Sequence, residues 1–131
     1  MTKTIAELSE EIHSNAKAKG FWEQGLDLPK MLMLTVSELS EAMEADRKDK
    51  IYRSNHFLKE LDINEEVSSE DEKYFQQEFE VSVKNTIQDE LADAMIRIMD
   101  IAQYMNIDLQ WHIQMKMKYN ELRPYKHGKK Y

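Results

Sequence analysis

The stretch VKNTIQDELADAMIRIMDIAQYM, residues 83–105, decides the fold class. Its apolar side chains recur three or four positions apart, which is the spacing of one face of an α-helix and not the alternation of a strand. Asn106 follows the stretch, and Asp108 is a typical N-terminal cap for a further helix. The apolar positions are Ile87, Leu91, Ala94, Met95, Ile98, Ile101, Ala102 and Met105. The sequence therefore predicts an amphipathic helix from residue 83 to about residue 105.

Three further stretches show the same helical spacing. The first covers residues 5–16, and the second covers residues 28–45 and opens after Asp27, a typical helix cap. The last starts at residue 109 and ends before Pro124, because the residue before a proline disfavours helical geometry. No segment shows a convincing strand pattern. The four helices predict an all-α fold, and a four-helix bundle in particular.

Residues 47–82 lie between the second and third predicted helices and are strongly acidic. Residues 60–80 contain nine Asp and Glu but a single Lys, a composition typical of a solvated surface. Ser68, Ser69 and Glu70 resemble the start of a helix. We predict a loop followed by a short amphipathic helix, which together form an acidic insertion between the second and third main helices.

The composition indicates a single domain, residues 1–131. The chain has no Cys, which excludes disulfides, thiolate metal sites and cysteine nucleophiles. No apolar run approaches the roughly 20 residues of a membrane helix, so we expect a cytoplasmic protein that does not bind membranes. The net charge of −7 divides into +5 for residues 115–131 and −12 for residues 1–114. The acidic body argues against stable nucleic-acid binding, whereas the basic C-terminal tail, residues 123–131, indicates local anion binding.

Two predicted helices each carry a pair of acids: Glu38 and Glu41 on the second, Glu90 and Asp93 on the third. Residues three apart share one helix face, with Cβ atoms about 5–6 Å apart, and both pairs border the apolar stripe. Grouped carboxylates repel one another unless a cation is present, and oxygen ligands suit Mg²⁺, with Mn²⁺ as a substitute. Arg97, one turn beyond Asp93, is expected to balance the acids. Spacing alone leaves a metal site and ordinary surface acids as open alternatives.

These motifs resemble those of a known enzyme family. SELSEAMEA, residues 37–45, and DELADA, residues 89–94, are similar to the E-x-x-E and E-x-x-D signatures of the MazG-like nucleotide pyrophosphohydrolases. The tail, with KYN at residues 118–120 and RPYKHGKK at residues 123–130, looks like the ending of small stand-alone MazG-like proteins. The acidic insertion makes the spacing between the two signatures longer than is usual in that family.

The resemblance implies a fold, a reaction, a set of metal ligands and an assembly. The fold is a bundle of the all-α NTP pyrophosphatase type, and the reaction is Mg²⁺-dependent hydrolysis of a (d)NTP to a (d)NMP and pyrophosphate. Glu38, Glu41, Glu90 and Asp93 are carried over as metal ligands. Glu41 is the preferred catalytic residue for orienting the attacking water, and Glu38 is the other candidate. Related enzymes associate as dimers or tetramers, so we expect a homodimer or homotetramer.

Polar and basic side chains near the C-terminus are candidates to hold the triphosphate. They are Lys116, Asn120, Arg123, Lys129 and Lys130. Lys116 and Asn120 are four residues apart and therefore share a helix face, and basic groups in this region suit phosphate oxygens. The alternative is a basic end that keeps the chain soluble. Trp22, in the loop after the first helix, either stacks on the base of the substrate or anchors its own loop.

Two other functional classes compete with hydrolysis. Glu10 and His13 form the Glu-x-x-His half-motif of carboxylate-bridged di-iron bundles, but no other His of the chain completes a second one. A redox bundle is therefore disfavoured. A non-catalytic helical interaction module, in which the acids are surface features, stays open. Magnesium-dependent release of pyrophosphate distinguishes an enzyme from such a module.

Overall fold

In the computed structural model, which describes residues 2–63 and 65–131, the chain forms six α-helices. The helices are α1, Ile5–Ala18; α2, Leu28–Arg47; α3, His56–Glu60; α4, Ser69–Ser82; α5, Ile87–Tyr104; and α6, Leu109–Glu121. No strand occurs in the described ranges, so the all-α prediction is confirmed. None of the helices described is long and apolar enough to cross a membrane.

Three of the predicted helix starts are fixed by the expected side-chain caps. Asp27, Ser68 and Asp108 precede α2, α4 and α6, and each accepts a hydrogen bond from the backbone N–H three residues further on. The donor–acceptor distances are 3.3, 3.2 and 3.0 Å, respectively. Such caps satisfy one of the backbone N–H groups that have no partner in the first turn of a helix.

The start of α5 differs from the prediction, because this helix begins at Ile87, four residues later than expected. Asn85 has a φ of 62°, a left-handed conformation that a helix does not accommodate. Its backbone N–H donates to the Asp89 carboxylate at 2.8 Å, and the Thr86 hydroxyl accepts from the Asp89 N–H at 3.3 Å. These bonds form a turn before the helix and cap its first residues.

Two compact units make up the described chain: residues 27–98, and residues 2–26 together with residues 99–131. In the first unit α2 packs on α5, and α3 packs on α4. The core of this unit includes the buried alanines Ala42, Ala45 and Ala94. Small side chains at a helix contact allow the helix axes to approach closely, which brings the neighbouring acids of α2 and α5 together.

The segment after α2 folds back onto the first turn of α5. The Lys50 carbonyl accepts a hydrogen bond from the Ile87 N–H at 3.0 Å. The Tyr52 N–H donates to the Gln88 side-chain oxygen, and the Gln88 amide nitrogen donates back to the Tyr52 carbonyl, each at 3.0 Å. These three bonds fix the position of Lys50 beside the N-terminal end of α5.

The acidic insertion contains more helix than predicted. Its N-terminal part was expected to be a loop, but α3 forms there because the Asn55 side-chain oxygen accepts from the Leu58 N–H at 3.1 Å and caps the helix. The Asn55 amide also donates to Glu78 at 2.6 Å and to Ser82 at 2.9 Å on α4. The predicted α4 is present, so the insertion is a pair of packed helices.

The second unit contains α1, α6 and the last turn of α5, with α1 packed on α6. Asp100 is its central polar residue: the carboxylate lies 2.7 Å from His13 Nδ1 and accepts the Trp22 indole N–H at 3.0 Å. The Trp22 ring stacks on Tyr104, with 4.3 Å between ring centroids. These contacts bury Trp22 and fasten the loop after α1 to the end of α5.

Candidate active site

Helices α2 and α5 bring three of the four predicted metal ligands into one cluster. Glu38 projects from α2, and Glu90 and Asp93 project from consecutive turns of α5. One carboxylate oxygen from each residue lies within 4.8 Å of those of the other two. Glu38 and Glu90 retain only 7% and 4% of their possible exposure. Burying carboxylates so close together is unfavourable without compensating positive charge.

Arg97 supplies part of that charge. Its Nε donates a short hydrogen bond to Glu38 Oε1, forming an ion pair between α5 and α2. The expectation that Arg97 balances the acids is therefore confirmed. Glu41 also borders the group through its hydrogen bond with Glu90, whereas Arg97 is paired with Glu38 and acts on Asp93. The cluster keeps an excess of negative charge that a divalent cation would neutralise.

Burial and the neighbouring acids raise the pKa values of two members of the cluster. The pKa of Glu90 is raised from its ordinary 4.5 to about 7, first by burial and then by the hydrogen bond and charge of Glu41. The charges of Asp89 and Asp93 add to the effect. Burial is also the main cause that raises the pKa of Asp93, followed by the charge of Asp89, while Arg97 opposes the shift. Both shifts have the sign that burial and neighbouring negative charges produce in a carboxyl group.

Glu41 differs from the other three acids in its exposure to solvent. It shares a hydrogen bond with Glu90 and stands outside the three-oxygen cluster. Its side chain opens onto a recess of about 340 Å³. The residues that line the recess are Glu41, Glu44, Ala45, Lys48, Lys50, Asn85 and Glu90. The recess thus joins the acidic cluster to two lysines that the sequence patterns did not indicate.

No sequence signal identified Lys48, Lys50 or Asn85 as site residues. Lys48 follows the last residue of α2, Lys50 lies in the connecting segment, and Asn85 precedes α5 by two positions. They come together because the Lys50 carbonyl accepts the Ile87 N–H, a contact between positions 37 residues apart in the chain. Helical periodicity describes the faces of a single helix. It contains no information about a connecting segment that folds back onto a distant helix.

The donor set of the cluster is suited to a hard divalent cation. Glu38, Glu90 and Asp93 offer carboxylate oxygens only, which Mg²⁺ and Mn²⁺ prefer, whereas Zn²⁺ sites usually contain His or Cys. Glu41 adds a further carboxylate at the solvent side. Three converging carboxylates on two helices therefore offer ligand atoms of the type that such an ion takes, with Arg97 bonded to Glu38.

The predicted substrate-binding residues of the C-terminal region all belong to the second unit. Lys116 on α6 places its ammonium 4.8 Å from the centre of the Tyr119 ring, and the Arg123 guanidinium lies 5.5 Å from the same ring. The Asn120 side-chain oxygen is buried, and it has no hydrogen-bond partner among the described residues. Lys129 and Lys130 are exposed and follow a short 3₁₀ turn, Tyr125–Gly128. Their role toward phosphates stays a prediction.

Trp22 also lies in the second unit, where its contacts are those of a loop anchor. Only 9% of its possible surface is exposed, because one ring face is covered by Tyr104 and the indole N–H is bonded to Asp100. Stacking on a substrate base, the other alternative, stays a prediction. No family model, curated protein or solved structure matches this chain.

Proposed function

We propose that the protein is a Mg²⁺-dependent nucleoside triphosphate pyrophosphohydrolase, which converts a (d)NTP and water into a (d)NMP and pyrophosphate. The observation that carries the proposal is the convergence of Glu38, Glu90 and Asp93, whose oxygens lie within 4.8 Å of one another on two packed helices. Phosphoryl transfer depends on positioning and charge neutralisation more than on covalent chemistry. A buried carboxylate cluster that opens onto a polar recess suits that requirement.

Glu38, Glu90 and Asp93 would hold the ion, with Glu41 as the fourth ligand or as the residue that orients water. When bound, Mg²⁺ supplies positive charge to the phosphate oxygens and lowers the pKa of water. Arg97 acts as a positioning residue, since its ion pair with Glu38 fixes a carboxylate that would otherwise be repelled by its neighbours. The raised pKa of Glu90 supports a site that favours cations.

Glu41 is the residue that we assign to the attacking water. Its exposure places a carboxylate at the boundary between the cluster and solvent, where it accepts a proton as the water oxygen bonds to the α-phosphorus. The bond from that phosphorus to the oxygen bridging to the β-phosphate breaks, and pyrophosphate leaves. The position of attack follows from the motif resemblance, and proton acceptance by a correctly placed carboxylate is general-base catalysis.

The finer fold and the assembly form part of the same proposal. Helices α1, α2, α5 and α6 would form a four-helix bundle of the all-α NTP pyrophosphatase type, with α3 and α4 as the insertion. Large apolar side chains on α2 and α5 remain about half exposed, among them Leu39, Met43, Leu91 and Met95. Exposed apolar surface of this extent supports association of identical chains. We therefore include a homodimer or homotetramer in the proposal.

A substrate screen tests the proposed function. The purified protein is incubated with each common NTP and dNTP in Mg²⁺, and pyrophosphate is measured. We expect release from at least one substrate, abolished by chelation of the metal and by Glu90→Gln. A matched control is Glu72→Gln on α4, which removes an exposed acid of the same unit and should keep full activity. Absence of pyrophosphate with every substrate would favour the helical interaction module instead.

A further inference from the structure

The recess beside the cluster is lined by both acidic and basic side chains. The acids are Glu41, Glu44 and Glu90, and Lys48, Lys50 and Asn85 supply hydrogen-bond donors. Its volume of about 340 Å³ lies at the lower end of the approximate 300–1,000 Å³ range of small-molecule sites. A ligand that fits such walls carries negative charge toward the lysines and reaches the carboxylates through a cation.

Lys50 is the more available of the two lysines. Its ammonium forms no ion pair with any residue that the structure describes, although its backbone is held by the hydrogen bond from the Ile87 N–H. Lys48 Nζ lies 3.3 Å from Glu44 Oε1, and both side chains are exposed, so this contact is weak and readily exchanged. The recess therefore presents a fixed backbone with one uncommitted ammonium and one loosely committed ammonium.

Asn85 adds a neutral amide to the same wall. Its backbone has the left-handed conformation and its N–H donates to the Asp89 carboxylate. The backbone of Asn85 is therefore held by a hydrogen bond, as that of Lys50 is. An ammonium group and an amide N–H group are both donors. Together with Lys48 they form what we call the donor wall, three side chains of the recess lining that can donate hydrogen bonds to phosphate oxygens.

We infer that Lys48, Lys50 and Asn85 form the subsite for the β- and γ-phosphates of the substrate, and for pyrophosphate after cleavage. This inference rests on the proposed function and assigns the phosphate grip to the recess within residues 27–98. Attack at the α-phosphorus requires that phosphate to lie beside Glu41. The remaining phosphates then extend along the recess, where the lysines are the nearest cationic groups on its wall.

The test uses the full-length protein and two ligands, pyrophosphate and a nucleoside monophosphate, each with Mg²⁺. Isothermal titration calorimetry measures their affinities for the wild type, Lys50→Gln and the double variant Lys48→Gln/Lys50→Gln. We expect pyrophosphate to bind about tenfold more weakly to Lys50→Gln, as for loss of one charge-assisted hydrogen bond, and weaker still to the double variant. Monophosphate affinity should be unchanged, since it lacks the phosphates concerned. Lys50→Arg should restore binding.

The controls separate phosphate binding from folding and from the metal site. Lys59→Gln removes an exposed lysine of the same unit outside the recess and should leave pyrophosphate affinity unchanged. Circular dichroism checks helicity, and Mn²⁺ binding checks the carboxylates. Unchanged pyrophosphate affinity in the double variant, or no binding to the wild type, would overturn the inference. Stronger Mn²⁺ binding with unchanged pyrophosphate affinity would also overturn it, because the lysines would then only neutralise the acids.

Failure of the proposed function has a different signature. If the wild type hydrolyses no triphosphate, the proposed enzymatic function is refuted. The calorimetric test still measures whether the recess binds pyrophosphate. Lysine-dependent pyrophosphate binding would then support a phosphate-binding recess without hydrolysis. Conversely, the wild type and the double variant could both be active with the same KM for triphosphate. That result would support the proposed function and refute the phosphate subsite.

Discussion

Replacing Glu90 by Gln should stabilise the metal-free protein at pH 8 while it abolishes metal binding. The folded chain holds the Glu90 carboxyl protonated up to about pH 7, whereas its ordinary pKa is 4.5. The folded state therefore binds more protons than the unfolded state between these values, and stability falls as the pH rises through this window. Gln has nearly the same shape and remains neutral, and its amide can donate to Glu41 as the protonated carboxyl does.

The magnitude follows from the pKa. A rise from 4.5 to about 7 corresponds to at most about 3.5 kcal/mol, at about 1.4 kcal/mol per pH unit. The recess admits water beside Glu90, and this screening reduces the expected gain to about 1–2 kcal/mol. For a chain of 131 residues that gain corresponds to a Tm higher by about 4–8 °C at pH 8. Near pH 3.5, about one pH unit below the ordinary pKa of 4.5, Glu90 is largely protonated in both states, so wild type and variant should unfold at nearly the same temperature.

Thermal unfolding followed by circular dichroism, with chelator present, measures this difference across the pH range. Glu44→Gln is a control in the same recess. The pKa of Glu44 is shifted in the opposite direction, because a hydrogen bond from Lys48 lowers it. This variant should give no gain at pH 8. Added Mg²⁺ should raise the Tm of the wild type through preferential binding to the folded state and leave Glu90→Gln unchanged. A variant less stable than wild type at pH 8, or equally stabilised by Mg²⁺, would refute the reasoning.

Three further predictions concern turnover, the tail and assembly. Asp93→Asn should reduce turnover at least about 100-fold with helicity intact, as expected for loss of a metal ligand. Steady-state kinetics measure this change, and full activity of the variant would show that Asp93 is not a metal ligand. Deleting residues 123–131 should raise the KM for triphosphate by about tenfold or more if Arg123, Lys129 and Lys130 contact phosphates in addition to the recess lysines. Unchanged kinetics would indicate that the tail only keeps the chain soluble and that phosphate binding belongs to the recess. Light scattering should give the mass of a dimer or tetramer at micromolar concentration, and a fully active monomer would contradict the proposed assembly.

The sequence was most informative where structure is local. The caps at Asp27, Ser68 and Asp108 and the four main helices follow from residue types and from the helical period, which act within a few positions. The start of α5 was misplaced because Val83 fits the apolar stripe, whereas the hydrogen bonds around Asn85 and Asp89 make residues 83–86 a turn. Periodicity detects apolar positions and does not detect a competing side-chain bond.

The candidate site was predictable in part for the same reason. The i, i+3 spacing put Glu90 and Asp93 on one face of α5, and both acid pairs were expected to border the apolar stripe. The distinction between a buried Glu38 and an exposed Glu41 depends on how α2 and α5 pack, which spacing does not determine. The donor wall around Lys50 depends on a backbone bond between distant positions, so only the three-dimensional structure identifies it.

Product analysis with a single triphosphate tests the central claim most directly. The substrate that gives the highest rate in the screen is incubated with the wild-type protein and Mg²⁺, and the products are separated by ion-exchange chromatography. Water attack at the α-phosphorus predicts nucleoside monophosphate and pyrophosphate in equal amounts, with no reaction in chelator. Nucleoside diphosphate with orthophosphate would place the attack at the γ-phosphate, and turnover that persists without a divalent cation would leave the carboxylate cluster without its assigned role.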